Sequence, residues 1–263
     1  MNRSRKYWKR YAKDSLNGNW GVSMAGMLAV AAVSFIGSIM SVELFPGNTI
    51  FSLALGQIFS FIFSLIAIVF RTGYNYMLLN EARGKEFSLG NILYLFHNQP
   101  DRVLIAGFAV SILDMIAQIP FYYVVYMTDQ GSTLEQQVAW VQMAMAMFLL
   151  SLVLDVILTV PFVLAFYLLT DDPEMGGMEA LKTSAHLMKG NILKYWLMML
   201  SFVPLLILSV FTMYIGLLWL LPYMYMTETV FYMDIMGELN EESVGPQTEE
   251  TEFCNCDDYN SEA

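Results

Sequence analysis

VLIAGFAVSILDMIAQIPFYYVVY, residues 103–126, is a stretch of 24 residues with a single charged side chain, Asp114. About 20 predominantly apolar residues are enough for a helix to cross the hydrocarbon layer of a bilayer. Five further apolar runs follow the same pattern along the 263-residue chain: 21–42, 50–70, 139–168, 194–213 and 215–235. The sequence therefore predicts an all-α fold, a polytopic membrane bundle of six transmembrane helices.

The last two runs are the weakest part of this topology. Only residues 212–216 separate them, and each run contains a proline, Pro204 or Pro222. A re-entrant hairpin, which enters and leaves the bilayer on one side, is the alternative to two full spans. Both versions return the C-terminus to the side on which the chain began.

Basic residues orient the predicted spans. All 13 Lys and Arg residues precede the first run or lie between alternate runs, whereas the loops around 43–50 and 127–138 contain none. Short basic loops remain on the cytoplasmic side during insertion. We therefore expect a multi-pass plasma-membrane protein with a cytoplasmic N-terminus and a cytoplasmic C-terminus.

Composition divides the chain into two parts. Hydrophobic residues make up 57% and charged residues 14%, whereas a soluble domain has about 25% charged residues. Residues 237–263 contain nine acidic and no basic side chains, within a net charge of −11. We predict a six-span membrane domain over 1–236 and a disordered acidic cytoplasmic tail over 237–263. Cys254 and Cys256 of this tail are interpreted as ordinary thiols.

Three cytoplasmic segments have the pattern of interfacial amphipathic helices: 3–16, 88–97 and 174–189. With the spans, they suggest a three-fold repeat of helix-hairpin units over 1–72, 73–170 and 171–235. The first segment carries a basic face, and such helices bind anionic lipid headgroups. Its predicted membrane-surface residues are Arg3, Lys6, Trp8, Lys9, Arg10 and Lys13.

Two carboxylates lie deep inside the third and fourth predicted spans. Asp114 and Asp155 are about 17 and 20 Å from the inner ends of the third and fourth runs at 1.5 Å per residue. Consecutive spans are antiparallel, so the two can meet, and each should face the bundle interior or a wet cavity. No Lys or Arg lies in the core of a run, so neither carboxylate has an expected ion-pair partner. Neighbouring polar side chains that would complete a site are Ser111, Gln118, Ser151 and Thr159.

Two interpretations of these acids remain open. They form a proton, cation or solute site in a translocation path, or they are hydrogen-bonded across helices and serve assembly. Catalytic signatures are missing: there is no phosphate-binding glycine loop. The sequence therefore predicts neither an enzyme nor a cofactor or metal site. The scattered basic residues argue against a nucleic-acid partner.

Several motifs carry a family resemblance: AKDSLNGNW at 12–20, Leu95-Phe96, EALKTSAHLMKG at 179–190, GLLWLLPY at 216–223 and Phe231-Tyr232. Over about 1–235 the chain resembles a family of six-span integral membrane proteins of Gram-positive bacteria, catalogued only as a domain of unknown function. The resemblance implies a plasma-membrane helical bundle and brings no catalytic residues. A looser likeness is to the membrane domain of some glycerophosphodiester phosphodiesterases, whose soluble catalytic domain this chain lacks.

Function is less determined than fold. We expect a non-enzymatic membrane module that organises lipids or partner proteins, with self-association as one form of partnership. The alternative is a small transporter or channel with a polar site at Asp114 and Asp155. A lipid-modifying enzyme is the third possibility, and it lacks a visible catalytic cluster. A hydrated cavity beside the two acids would favour the transporter, and a sealed interior would favour the module.

Overall fold

The computed structural model describes residues 4–46 and 49–239. Within these residues the chain is helical and contains no strand, so the all-α prediction is confirmed for the described part. The predictions for Arg3 and for the acidic tail beyond Leu239 lie outside the described residues.

Eleven α-helices follow one another in the described residues. Their bounds are α1 Arg5–Leu16, α2 Trp20–Leu44, α3 Ile50–Ala82, α4 Tyr94–His97, α5 Pro100–Met127, α6 Leu134–Thr159, α7 Ala165–Asp171, α8 Gly177–Met188, α9 Ile192–Leu200, α10 Val203–Phe211 and α11 Leu217–Met236. Two 3₁₀ helices, Leu89–Leu93 and Val160–Phe162, precede α4 and follow α6.

Five of the described helical segments are long and apolar enough to cross a membrane. They are Trp20–Leu44, Ala54–Ala82, Pro100–Met127, Leu134–Asp171 and Ile192–Phe211. They indicate a multi-pass membrane protein. The predicted sixth span, 215–235, is not among them, so the six-span topology and the three-fold repeat are not confirmed.

The buried core lies at one end of the bundle, which we call the basic end. It contains α1, the second half of α3, the starts of α5 and α8, α7 and the second half of α11. At the opposite, distal end, large apolar side chains are exposed: Phe35 is 67% exposed and Ile58 56%. Lipid tails would cover such a surface in a bilayer. The protein therefore packs on itself mainly at the basic end.

Glycine at position 73 permits one of the closest contacts in this core. A Cβ atom at Gly73 would lie 2.0 Å from the Ile92 carbonyl oxygen, so only glycine lets the 3₁₀ helix Leu89–Leu93 rest on α3. Predicted segment 88–97 is therefore a 3₁₀ turn followed by the four residues of α4, packed on α3.

Helix α9 lies beside α1 at the basic end. Arg5 Nη1 donates to the Leu197 carbonyl oxygen at 3.4 Å, and Lys9 Nζ donates to that of Ser201 at 3.0 Å. The chain breaks at Ser201 before α10 starts at Val203. Only the nine residues of α10 then lead away from the basic end, which is about 14 Å at 1.5 Å per residue.

Helix α11, which returns the chain to the basic end, also extends only a short way from the core toward the distal end. Tyr74 of α3 and Tyr225 of α11 lie at one level, since their ring centroids are 5.7 Å apart. From this level α3 continues about 36 Å to Ile50, whereas α11 continues only about 12 Å to Leu217. The hydrocarbon layer is about 30 Å thick. These lengths favour the re-entrant alternative for the hairpin of α10 and α11.

A cysteine-accessibility experiment tests this topology. In a Cys254→Ser/Cys256→Ser background, Asp129→Cys lies in the distal loop and Tyr214→Cys at the hairpin tip. We expect a membrane-impermeant maleimide on the distal side of intact, oriented vesicles to label position 129. Position 214 should react with it only after detergent is added, because the tip ends inside the bilayer. Labelling of both positions from the distal side would instead establish two full spans.

Candidate functional site within the bundle

Asp114 and Asp155 meet across the hairpin formed by α5 and α6. Phe121 and Phe148, seven residues further toward the loop on each helix, pack edge-on with ring centroids 5.5 Å apart. The same antiparallel register brings Asp114 and Asp155 close enough to interact electrostatically. A carboxyl group donates a hydrogen bond only when it carries a proton. The two acids can therefore hydrogen-bond directly when one of them is protonated.

Both carboxyl groups border a cavity of about 200 Å³, which we call the central cavity. It lies between α3, α5, the end of α6 and the start of α7. Its polar wall consists of Arg71, Thr72, Asn75, Asp114, Asp155 and Thr159. Its apolar wall consists of Ile68, Val110, Phe162, Val163 and Phe166.

Arg71 is a cationic neighbour of Asp114 that the sequence analysis did not place at the site, although the described residues show no ion pair between the two. Helix α3 does not end near residue 70 but continues to Ala82, which turns Arg71 into the bundle. There its guanidinium acts electrostatically on Asp114 and on Glu228 of α11. It lies 5.6 Å from the centroid of the Tyr225 ring. Among the described residues no side chain or carbonyl forms a hydrogen bond with it.

Asn75 is a site residue that the sequence analysis missed. It lies one helical turn after Arg71 and is 4% exposed. Its Oδ1 atom has no hydrogen-bond partner among the described residues, and neither has Oδ1 of Asp155. Both residues border the central cavity. The i, i+4 spacing of Arg71 and Asn75 would have indicated a shared face had α3 been extended past residue 70.

The other predicted site residues do not all border the same cavity. Thr159 borders the central cavity, and its hydroxyl donates to the Asp155 carbonyl oxygen at 2.8 Å. Ser111 and Gln118 border neighbouring cavities instead. Ser151 is fully buried, its hydroxyl has no partner in the described part of the chain, and it borders none of these cavities.

Two further cavities meet the central one at Asp114. The distal groove, about 620 Å³, runs between α3 and α5 from Met127 to Asp114 and includes Gln118. The side cavity, about 360 Å³, lies between α2, α3, α5 and α11 and is bordered by Ser111, Asp114 and Arg71. Asp114 borders all three spaces. Together the central cavity and the distal groove border the bundle from Met127 of α5 to Asn75 of α3.

A layer of buried polar side chains lies on the α11 side of the Arg71 guanidinium. Glu228 is 6% exposed, and the Tyr195 hydroxyl donates to its Oε2 atom at 3.5 Å. The Thr229 hydroxyl donates to the hydroxyl oxygen of Tyr167 at 3.4 Å. Glu228 thus supplies α11 with an acid that attracts Arg71 toward the core.

The predicted membrane-surface helix α1 faces protein with its apolar side. Trp8, predicted to contact lipid, is 2% exposed, packs edge-on against Phe231 at 5.0 Å, and donates from its indole nitrogen to Asp234 at 3.0 Å. That assignment is therefore wrong for Trp8, because α11 covers this face of the helix.

Lys9 is likewise turned toward the protein. Its ammonium lies 3.8 Å from the centroid of the Phe202 ring, and burial lowers the pKa of this group. The basic side chains of α1 that remain exposed are Arg5, Lys6, Arg10 and Lys13.

An ionic cluster joins three segments at the basic end. Arg83, which follows α3, forms a two-bond ion pair with Asp171 at 2.5 and 2.7 Å and another with Glu238. The Tyr232 hydroxyl donates to Asp171 at 2.6 Å. These acids raise the pKa of Arg83. The cluster ties the ends of α3, α7 and α11 together.

The pairing of the two aspartates can be tested through stability. Asp155→Asn should keep the thermal midpoint of the protein in detergent within about 2 °C of the parent, because an amide donates to the Asp114 carboxylate without a shared proton. Asp155→Leu leaves Asp114 unpaired, at a cost of about 1–3 kcal/mol, and should lower the midpoint by roughly 3–8 °C. Circular dichroism melting measures both. Equal losses in the two variants would contradict the pairing.

Comparison with known proteins supports the family assignment and adds no activity. No curated protein and no solved structure matches the chain. A similarity to glycerophosphodiester phosphodiesterases is not shown. Residues 1–238 match the family described as "Protein of unknown function (DUF975)", and the chain belongs to that family.

Proposed function

We propose that this protein is a small transporter or channel for a polar solute, with its site at Asp114 and Asp155. The observation that carries the proposal is the pair of unpartnered oxygens, Asn75 Oδ1 and Asp155 Oδ1, at one intramembrane cavity. An unsatisfied buried polar group costs about 1–3 kcal/mol. Ionisable residues in membrane spans commonly line ion or substrate pathways.

The arrangement of the cavities supports a route through the bundle. From Met127 to Asp114 the distal groove follows α5 for 13 residues, about 20 Å at 1.5 Å per residue. Beyond Asp114 the central cavity continues to Asn75, which is seven residues from the end of α3, about 10 Å. A solute on this route would pass Asp114, where the three spaces meet.

The proposed role is non-enzymatic, because moving a solute along this route requires no covalent step. We propose the plasma membrane as its location, with both termini on the cytoplasmic side. The basic end of the bundle would then face the cytoplasm, as the distribution of Lys and Arg favours.

A second candidate role rests on a separate surface. Arg5, Lys6, Arg10 and Lys13 remain exposed on α1. A juxtamembrane basic group gains about 1 kcal/mol from an anionic leaflet. These four side chains support a membrane module that organises anionic lipids or partner proteins. This role is compatible with transport, since it uses the outside of the bundle.

Solute flux tests the first role. Proteoliposomes are placed in isosmotic glycerol, erythritol, urea or alanine, and swelling is followed by light scattering. We expect the parent to admit at least one of these solutes, and Asp114→Leu to slow its entry at least tenfold because an apolar side chain replaces the shared polar wall. Asp114→Asn serves as the variant of matched size.

The control for flux is Ser38→Ala. Ser38 is exposed on α2, its hydroxyl bonds only within that helix in the described structure, and it borders none of the three cavities. Its flux should equal that of the parent. A parent that admits no polar solute faster than protein-free liposomes, or an Asp114→Leu variant with unchanged flux, would refute the transporter proposal.

Lipid dependence tests the second role. The thermal midpoint of the parent should be higher in nanodiscs with phosphatidylglycerol than in discs of phosphatidylcholine alone, and 0.5 M salt should reduce this difference through screening. Changing Arg5, Lys6, Arg10 and Lys13 together to Gln should remove it, whereas Lys85→Gln, outside α1, should not. A lipid dependence that survives the fourfold change would rule out α1 as the contact.

A further inference from the structure

We propose that the central cavity binds a small zwitterion, with the anionic group of the ligand against Arg71 and its ammonium group against Asp155 and Asn75. The inference rests on the proposed function and specifies its substrate class. It also predicts equilibrium binding, which can be measured without any flux.

Arg71 provides the anion-binding half of the site. Its guanidinium has five N–H donors in a planar fork, and none of them has a hydrogen-bond acceptor within the described part of the chain. This fork matches the two oxygens of a carboxylate better than any other cationic side chain does. Glu228 and the ring of Tyr225 attract the guanidinium from the α11 side. The donors that border the central cavity remain available to a ligand.

Asp155 and Asn75 provide the cation-binding half. Oδ1 of each residue is buried and unpartnered in the described structure, and Asn75 as a whole is 96% buried. These two oxygens lie on different helices around one space and lack donors, which an ammonium group bound in that space would supply. An ammonium group carries three donors and a charge opposite to that of the aspartate pair.

Charge balance selects a zwitterion over a simple cation or anion. Asp114 and Asp155 present negative charge to the central cavity and Arg71 presents positive charge, with Glu228 on its α11 side. A bare cation next to Asp155 would be repelled by Arg71, and a bare anion next to Arg71 would be repelled by the aspartates. A neutral ligand with two opposite ends satisfies both halves and brings no net charge into the membrane interior.

The volume of the cavity sets the size of the ligand. A cavity of about 150 Å³ holds benzene, which has six heavy atoms. The central cavity, about 200 Å³, therefore has room for a molecule of similar size or slightly larger. Alanine, β-alanine and 4-aminobutyrate fall in this range and differ in the spacing of their charges.

Calorimetric titration of the full-length protein in nanodiscs tests the proposal. The probes are these three zwitterions and two half-ligands, propylamine and propionate. We expect one zwitterion to bind at least tenfold more tightly than either half-ligand. Arg71→Gln should weaken zwitterion and propionate binding at least tenfold and leave propylamine unchanged. Asp155→Asn should weaken zwitterion and propylamine binding at least tenfold and leave propionate binding unchanged. Ser38→Ala should bind every probe as the parent does.

The outcomes separate this inference from the proposed function. Equal binding of propylamine and the zwitterions would establish a cation site and overturn the inference. Flux that depends on Asp114 without zwitterion binding would overturn the substrate class and leave the transporter intact. The absence of both flux and binding would refute both and identify the cluster as a structural network. Circular dichroism of each variant verifies that it is folded.

Discussion

The packing of the surrounding helices depends on the positive charge of Arg71, which lies within the bundle. The side chain of Arg71 is exposed to the cavities that it borders, and countercharges and polar neighbours stabilise a charge inside a bundle. Asp114 on α5 and Glu228 on α11 supply the charges, and the ring of Tyr225 adds a π face. Three helices from distant parts of the chain therefore meet around one guanidinium. The same group forms one wall of the central cavity, so the packing of the fold and the chemistry of the site depend on a single side chain.

Placement of this charge depends on the length of α3. The helix remains unbroken for 33 residues, about 50 Å at 1.5 Å per residue, and thus reaches well past the hydrocarbon. Its second half is held from several sides: Ile92 packs against Gly73, and the Tyr11 hydroxyl donates to the Ala82 carbonyl oxygen at 3.3 Å. Arg83 then ties the helix end to Asp171. Each contact fixes the rotation of α3 and therefore the direction in which Arg71 points.

The apolar runs and the meeting of Asp114 with Asp155 could be predicted from the sequence, because length and antiparallel register are local properties of a hairpin. The extension of α3 could not, since Arg71-Thr72-Gly73 has the composition of a loop and the contact that holds it lies on another segment. The environment of Trp8 was missed for a similar reason: an amphipathic helix shows which face is apolar but not whether lipid or α11 covers it. Hydropathy shows how long an apolar run is but not how far it extends from the basic end. The short extension of α10 could therefore not be predicted.

Mobility should be unequal along the bundle, because the anchoring contacts are concentrated at its basic end. There Arg102 binds the carbonyl oxygens of Asp172 and Met175, Arg83 binds two acids, and Trp8 fills the core. The distal halves of α2, α3, α5 and α6 expose apolar surface to lipid, and few hydrogen bonds join them, such as Ser41–Ser60 and Trp140–Thr128. Regions with few buried contacts open at the lowest free energy. Access to Asp114 from the distal groove therefore requires less disruption than access from the basic end, and release toward the basic end would have to move the contacts around Asn75 and Arg71.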